Sequence, residues 1–259
     1  MTEGRAAPRF SDAEFGELLE LTKGADSVEL KLTVPESDQR AAGAALGIDP
    51  LDAQIRQVFF FDTPDLKLYE HGVVVRARRT QRKGDDSVVK LRPVVPKELP
   101  RELRSSSSFN VEVDTMPGGY VCSGSMKGTL EADAVKEAVA GERPLRNLYS
   151  KEQRALFAEH RPEGVELDEL SILGPILVFK LKFSPKEFER KLVAELWWYP
   201  DYSRVLELST KCAPSEAFQV MAEARAFLTQ RGVSLAGEQQ TKTRKALEFF
   251  SEPLRAERT

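Results

Sequence analysis

The run FFFDTPDLKLYEHGVVVRARRTQRKGDDSVVKLR, residues 59–92, decides the fold, because it holds two strand-like segments in which cations fall at every second position. Side chains alternate between the two faces of a strand, so the cations of each segment share one face. These cations are Arg76 and Arg78 in the first segment and Lys90 and Arg92 in the second. The intervening residues 80–86 suit a hairpin, which places the four cations on one patch of sheet. Because each pair of like charges repels by roughly 1 kcal/mol even in bulk water, such a patch is predicted to bind an anion.

The same alternation of charged and apolar residues predicts strands along the rest of the chain. Eight strands are predicted, over residues 27–33, 54–61, 74–78, 88–92, 109–115, 175–183, 192–199 and 204–211. In seven of them one face is charged, and the opposite face is built mainly from Val, Leu, Ile, Phe and Ala. Eight antiparallel strands can close into a barrel, and the charged face then becomes the lumen. Charges buried there need a counter-ion, a metal or a ligand, and a polyphosphate with divalent cations supplies such partners.

We predict a single domain over residues 1–259 of the α+β class, an eight-stranded antiparallel closed β-barrel with helices packed outside. Its parts are expected at residues 11–23 for an N-terminal helix, between residues 27 and 211 for the barrel strands, and at residues 215–250 for the C-terminal helices. Ser11 and Glu14 have the spacing of a capping box at the start of the first helix. The glycine-rich MPGGYVCSGSMKG, residues 116–128, lacks the Gly-Lys-Ser/Thr ending of a P-loop and is predicted to be a loop.

The composition of the chain limits the classes of function. Its 259 residues are 41% apolar, enough for a sizeable core, and 38 Lys and Arg stand against 41 Asp and Glu. This balance gives no global basic field of the kind that drives nonspecific nucleic-acid binding. Cys122, Cys212, His71 and His160 lack zinc-site spacing, and the sequence shows neither a signal peptide nor a membrane span. We therefore expect a reduced cytoplasmic protein without a membrane partner.

The order of several short motifs resembles the CYTH, or triphosphate tunnel metalloenzyme, superfamily over most of the chain. Each motif is weak alone, but their order together is specific. The motifs are VELKL at 28–32, FFDTPDLKL at 60–68, GVVVRARR at 72–79, VVKLRP at 88–93, VEVD at 111–114, FKLKF at 179–183 and AELWWYPDYSRVLELSTK at 194–211. The resemblance implies an eight-stranded antiparallel tunnel that binds a triphosphate through basic residues and Mg²⁺ or Mn²⁺ through acidic ones.

The resemblance also assigns roles to residues of this sequence. The basic positions implied to bind the triphosphate are Arg76, Arg78, Lys90, Arg92, Lys180 and Lys182. The alternation of the last strand adds Lys211 to the predicted substrate-binding residues. The acidic positions implied to hold the metal are Glu29, Glu195 and Glu207. Glu112 or Asp114 is implied to position a water molecule. Lys31 either lies near the transferred phosphoryl group or pairs with Glu29.

The leading hypothesis is a divalent-metal-dependent hydrolase of tripolyphosphate or of an organic triphosphate. Members of the superfamily hydrolyse inorganic tripolyphosphate, thiamine triphosphate or RNA 5′-triphosphate ends, and some cyclise ATP, so a class IV-type adenylate cyclase stays an alternative. The chain departs from the family pattern at Ser27 and Ser209, where acidic residues are usual. A non-catalytic polyphosphate or nucleotide sensor with a degenerate metal site is therefore a further alternative. The expected partner is a small-molecule triphosphate or polyphosphate, and the oligomeric state is left open.

Overall fold

The structure is a computed structural model, and it describes residues 11–234 and 242–256. The strands in these residues are β1 Ser27–Val34, β2 Gln54–Asp62, β3 Val73–Thr80, β4 Asp86–Leu91, β5 Phe109–Met116, β6 Gly119–Thr129, β7 Ser171–Phe183, β8 Leu192–Trp198 and β9 Arg204–Cys212. The α-helices are α1 Asp12–Lys23, α2 Gln39–Ala45, α3 Lys67–Glu70, α4 Arg101–Ser105, α5 Ala134–Val139, α6 Lys151–His160, α7 Ala217–Gln230 and α8 Lys242–Ala256. The predicted combination of a sheet with surrounding helices is present.

The strands form a closed barrel in the order β1-β5-β6-β4-β3-β2-β7-β8-β9. Every neighbouring pair is antiparallel except β1 and β5, which run parallel with Ser27 opposite Glu112 and Glu29 opposite Asp114. The predicted closure is confirmed. The prediction of eight wholly antiparallel strands is wrong, since the described residues contain nine strands and one parallel pair. That pair brings the acidic residues of two strands side by side.

The additional strand is β6, which falls in the stretch 116–128 that was predicted to be a loop. Its glycines allow close packing rather than a loop. A Cβ on Gly124 would overlap the ring of Phe109 on β5, and one on Gly128 would lie 2.6 Å from Oε1 of Gln153 on α6. Neighbouring side chains leave no room for a side chain at these two positions. The glycines are therefore required by packing within a strand, and the glycine-rich composition did not indicate a loop.

Helices cover the outer face of the barrel, where the apolar side chains of the strands point. Leu18 of α1, Val135 of α5 and Leu156 of α6 belong to one buried cluster together with residues of the strands. Ala42 of α2 and Phe227 of α7 belong to a second cluster with residues of β1, β8 and β9. The predicted arrangement of helices outside a barrel is confirmed for these elements.

α8 packs against a third apolar cluster, part of which faces the lumen. Ala246 and Leu247 are fully buried in this cluster, which also contains Phe60, Val74 and Trp197. These last three side chains line the central cavity. α8 therefore covers an apolar part of the lumen wall.

The helix ends agree with the prediction at the N-terminus and differ at the C-terminus. Ser11 and Glu14 form the predicted capping box at the start of α1. The predicted range 215–250 is shifted, because α7 begins at Ala217, α8 ends at Ala256, and residues 235–241 lie outside the described part of the chain. Within the described ranges, no helix combines the length and apolar character needed to cross a membrane.

Candidate functional site

The lumen of the barrel holds a cavity of about 550 Å³. All thirteen residues that the sequence analysis selected line it. They are Glu29, Lys31, Arg76, Arg78, Lys90, Arg92, Glu112, Asp114, Lys180, Lys182, Glu195, Glu207 and Lys211. Among the described residues, twelve Lys and Arg side chains and five carboxylates line the cavity, an excess of seven positive charges, although the whole chain carries a net charge of −3. The positive charge is therefore concentrated in the lumen.

One region of the lumen, here called the mixed cluster, combines carboxylates with cations on β1, β5, β9 and the end of β4. Its members are Glu29, Lys31, Lys90, Arg92, Glu112, Asp114 and Lys211. Asp114 lies at its centre, with a side chain that is only 1% exposed. Lys31 Nζ lies 2.7 Å from its Oδ1, Lys90 Nζ lies 3.9 Å from its Oδ2, and Arg92 donates to Oδ2. One carboxylate thus pairs with three cations.

The remaining carboxylates of the mixed cluster also have basic partners. Lys31 Nζ lies 3.3 Å from Glu29 Oε2, so the pairing of Lys31 with Glu29 that the sequence analysis left open is present, beside the shorter contact with Asp114. Glu112 accepts a hydrogen bond from Lys211. Arg92 Nε also donates to Ser123 Oγ at 3.0 Å. These contacts fix the carboxylates before any ligand binds.

Burial and pairing shift the pKa values of this cluster in different directions. Burial lowers the pKa of Lys31, but Asp114, Glu29 and two further carboxylates together raise it above its ordinary value. Burial raises the pKa of Asp114, but Lys31, Lys90 and Arg92 together hold it well below its usual range. For Lys90 burial dominates: it lowers the pKa to about 7, with Arg92 and Lys31 adding to the shift and Asp114 opposing it. Lys90 is therefore the cation of the cluster that titrates near neutral pH.

Three carboxylates of the mixed cluster are close enough to hold one metal ion. Glu29, Glu112 and Asp114 each offer an oxygen atom, and these atoms lie within 4.8 Å of one another. Carboxylate oxygens are the ligands that hard divalent ions prefer. The donor set therefore fits a divalent metal. The family resemblance instead implies a metal site made of Glu29, Glu195 and Glu207.

Glu195 and Glu207, here called the late acidic pair, are cross-strand neighbours on β8 and β9. Lys180 Nζ lies 2.6 Å from Glu195 Oε1, while Lys242 Nζ lies 2.5 Å from Glu195 Oε2 and 2.7 Å from Glu207 Oε1. Burial raises the pKa of Glu195, but its two ammonium partners hold it well below the usual range. At Lys180 burial outweighs the pairing, so its pKa is lowered. Two lysines thus neutralise the two carboxylates.

A second region, here called the basic wall, presents cations with little compensation. Its members are Arg56 on β2, Arg76 and Arg78 on β3, and Lys127 on β6. β2 and β3 are neighbours in the barrel, and β4 lies between β3 and β6. Arg78 pairs with Asp86, with 2.8 Å from Nη2 to Oδ1. The other three have no carboxylate within 4.0 Å among the described residues, and Arg76 Nε is buried without a hydrogen-bond partner. The described residues therefore leave most of the positive charge of the basic wall uncompensated.

The pKa values of the basic wall show the same lack of counter-ions. Burial lowers the pKa of Arg76 to about 10, and the charge of Arg78 adds to the shift. Burial and Arg78 likewise lower the pKa of Arg56. Burial is also the main cause of the lowered pKa of Lys127, which Arg76 and Arg78 lower further while Glu112 opposes the shift. A bound anion would relieve this mutual repulsion.

Four of the cations that line the lumen were not selected from the sequence, namely Arg56, Lys127, Lys191 and Lys242. Arg56 shares a face with Val58 and Phe60, so the same two-residue alternation identifies it. Lys127 lies in the glycine-rich segment that was predicted to be a loop, and Lys242 enters the lumen from α8 rather than from a strand. Sequence alternation contains no signal for a residue that reaches the site from a docked helix.

The two serines that depart from the family pattern are both buried. Ser27 donates to Glu112 Oε2 at 3.4 Å, and Ser209 is opposite Lys31 across β1 and β9. A neutral hydroxyl at each position leaves Lys31 and Glu112 without an additional carboxylate neighbour. The negative charge of this part of the lumen therefore comes from Glu29, Glu112 and Asp114.

Two solved structures share this architecture. A Hippeastrum protein, described as a candidate adenylyl cyclase with a dominant triphosphatase activity, is 19% identical, with a TM-score of 0.59 over 82% of this chain and 91% of that chain. A candidate adenylate cyclase from Bacillus halodurans is 14% identical, with a TM-score of 0.58 over 85% of this chain and 98% of that chain. The chain has the fold of these two proteins. No protein-family model and no curated protein sequence matches it. The likeness to these two structures extends to the fold, which agrees with the fold that the predicted resemblance implies.

Proposed function

We propose that the chain is a divalent-metal-dependent hydrolase of inorganic tripolyphosphate or of an organic triphosphate bound in the lumen. The composition of the cavity wall carries this proposal, because seven excess positive charges lie beside a compact carboxylate cluster. A triphosphate supplies negative charge to the cations, and its metal ion supplies positive charge to the carboxylates. The dominant triphosphatase activity named for the Hippeastrum protein, which shares the fold, supports the proposal.

The basic wall binds the phosphate oxygens in this proposal. Arg76 and Arg56 carry planar guanidinium groups that suit bidentate contact with phosphate. Lys180 and Lys182 on β7 extend the cationic surface, and both line the same cavity. Arg76 makes the largest contribution because it is buried and has no counter-ion among the described residues, so an incoming phosphate faces no competing carboxylate.

The mixed cluster performs the chemistry in this proposal. A metal ion held by Glu29, Glu112 and Asp114 would neutralise phosphate charge and orient a water molecule for attack on phosphorus. Glu112 keeps a lowered pKa and remains a carboxylate at neutral pH, because Lys31 and Lys211 outweigh the effects of burial and of Asp114. Its oxygen atoms accept hydrogen bonds from the attacking water. Lys31 stays charged beside them and stabilises negative charge on the transferred phosphoryl group.

A second candidate function is non-catalytic polyphosphate sensing. It is favoured by the hydroxyl groups of Ser27 and Ser209 and by the lysines that neutralise the late acidic pair. In that case the basic wall binds the anion, while the carboxylates only hold lysines in place. Adenylate cyclase stays a weaker candidate, supported by the names of the two structural neighbours.

Phosphate release and nucleotide products distinguish the three candidates. Tripolyphosphate, ATP and thiamine triphosphate are each incubated with the protein and Mg²⁺, Mn²⁺ or a chelator. We expect phosphate release that requires the metal, is lost in Glu112→Gln and persists in Arg79→Met, whose side chain lies outside the lumen. Binding of tripolyphosphate without phosphate release under either ion contradicts the hydrolase proposal and favours the sensor. Cyclic AMP as the main product from ATP favours the cyclase.

A further inference from the structure

Lys242, the first residue of α8, places its ammonium group in the lumen between two carboxylates. Its Nζ lies 2.5 Å from Glu195 Oε2 and 2.7 Å from Glu207 Oε1, and its side chain is 12% exposed. Nζ also lies 4.9 Å from the centroid of the Trp197 ring, a distance at which an ammonium group is attracted to an aromatic face. Burial lowers the pKa of Lys242, but Glu195 and Glu207 together raise it above its ordinary value. Lys242 therefore carries its charge in the folded protein.

The ammonium group occupies the position that a shared metal ion would need. Mg²⁺ binds carboxylate oxygens at about 2.0 to 2.1 Å, so an ion held by both Glu195 and Glu207 has to lie between their oxygen atoms. Nζ of Lys242 lies there, in contact with one oxygen of each carboxylate. A dication and an ammonium group cannot share that volume, and at such short range their charges repel strongly.

The rest of α8 holds Lys242 in this position. Ala246 and Leu247 are buried in the apolar cluster that includes Trp197, and Lys245 Nζ lies 5.2 Å from the centroid of the Tyr199 ring. These contacts do not involve Glu195 or Glu207, so α8 is anchored independently of the carboxylates. A metal ion at the late acidic pair would have to displace Lys242 from a helix that stays docked.

We propose that Lys242 is a built-in counter-ion that takes the place of a divalent metal ion at Glu195 and Glu207. Metal binding in the lumen is then confined to Glu29, Glu112 and Asp114. The location of the metal rests on the proposed function, but the role of Lys242 does not depend on turnover. The inference changes the function expected for the late acidic pair: it anchors Lys242 and Lys180 instead of binding metal.

A calorimetric titration of the protein with Mn²⁺ in the absence of triphosphate tests this inference. We expect the wild type to bind one Mn²⁺, Glu112→Gln to lose it and Glu207→Gln to retain it. Lys242→Ala is expected to gain a second Mn²⁺, which disappears when Glu207→Gln is added. Lys242→Arg keeps the positive charge and should bind as the wild type does. Arg244→Ala, which removes a cation from the same helix that pairs with Glu248, is the matched control and should not gain a site.

Two results would overturn the inference. One is the same number of bound Mn²⁺ ions in Lys242→Ala and the wild type. The other is that Glu207→Gln loses the Mn²⁺ ion bound by the wild type while Glu112→Gln retains that ion. This comparison remains decisive if Lys242→Ala fails to fold. In a third outcome, the wild type binds no Mn²⁺ and Lys242→Ala binds one ion. This outcome supports the role of Lys242 and contradicts the metal-dependent function, so the two proposals can be tested separately.

Discussion

The mixed cluster and the basic wall lie in one lumen but differ in how many of their buried cations are paired with carboxylates. In the mixed cluster, Asp114 alone contacts Lys31, Lys90 and Arg92, and Glu112 contacts Lys211. In the basic wall, Asp86 is the one described carboxylate that pairs with any of the four cations, and its side chain is 27% exposed. The first region is compensated largely by carboxylates of the protein, whereas the described carboxylates leave most of the second region uncompensated.

This difference separates structural from functional charges. A buried charge is costly unless it is paired, so a removed partner in the mixed cluster should cost stability. A cation without a partner contributes little to the folded state, and its removal should cost ligand binding instead. The two regions therefore predict opposite responses to the loss of a single charge.

The largest expected effect is on stability, in Asp114→Asn. The substitution leaves three buried cations without their shared counter-ion, which should lower the free energy of unfolding by about 3 to 5 kcal/mol. Denaturant unfolding measures the change, and added tripolyphosphate should restore part of it by supplying negative charge. Asp86→Asn is the matched control, since the Arg78–Asp86 pair is more exposed and should be worth about 0 to 1 kcal/mol. Equal losses in the two variants would contradict the comparison.

The next largest effect is on ligand binding, in Arg76→Met. Loss of hydrogen bonds to a charged group should weaken tripolyphosphate binding by about 1.5 to 3 kcal/mol, or roughly 10- to 100-fold. The free energy of unfolding should stay the same or rise, because a buried cation without a counter-ion is removed. Arg79→Met serves as the control, since Arg79 bonds Gln57 and Asp133 outside the lumen. A lower free energy of unfolding in Arg76→Met, with unchanged affinity for tripolyphosphate, would show that Arg76 is a structural residue and would contradict its role in ligand binding.

A smaller effect is expected from pH, through Lys90. Its pKa of about 7 means that the free protein loses this charge as the pH rises above 7, whereas a bound polyanion favours the protonated form. Affinity for tripolyphosphate should therefore fall with rising pH, by at most about tenfold per unit. Lys90→Arg, which stays protonated, should show a weaker pH dependence when both proteins are titrated from pH 6 to 9. Parallel curves would show that Lys90 does not titrate in this range.

The same lowered pKa predicts a change in stability without ligand. The unfolded chain, in which Lys90 has its ordinary pKa of 10.5, binds the proton more tightly than the folded chain does. The contribution of Lys90 to the free energy of unfolding should thus rise between pH 7 and 10.5. This trend has the opposite sign to the trend in affinity, so the two measurements check each other.

The lumen could be predicted from the sequence because strand periodicity is strict. A residue such as Arg76 or Glu112 has only two possible faces, and apolar neighbours on the other face determine which one points inward. The same rule applies to Arg56, which follows the alternation although it is not among the predicted site residues. The inward face of each of these predicted strands therefore follows from local pattern.

Two other features depend on contacts between distant parts of the chain. β6 could not be identified from composition, because Gly124 and Gly128 are required by the ring of Phe109 and the amide of Gln153, which come from other elements. The compensation of the late acidic pair depends on Lys242, more than thirty residues further along the chain, and on the docking of α8. Pairing between elements is not encoded in a two-residue period.

Direct binding of tripolyphosphate tests the central claim that the basic wall is an anion site left open by the protein. The measurement is a calorimetric titration of the wild type and Arg76→Met with tripolyphosphate, without metal. We expect one tripolyphosphate bound per wild-type chain, with an affinity that falls with added salt and drops about 10- to 100-fold in Arg76→Met. Absence of wild-type binding, or equal affinity in the two proteins, would contradict the claim.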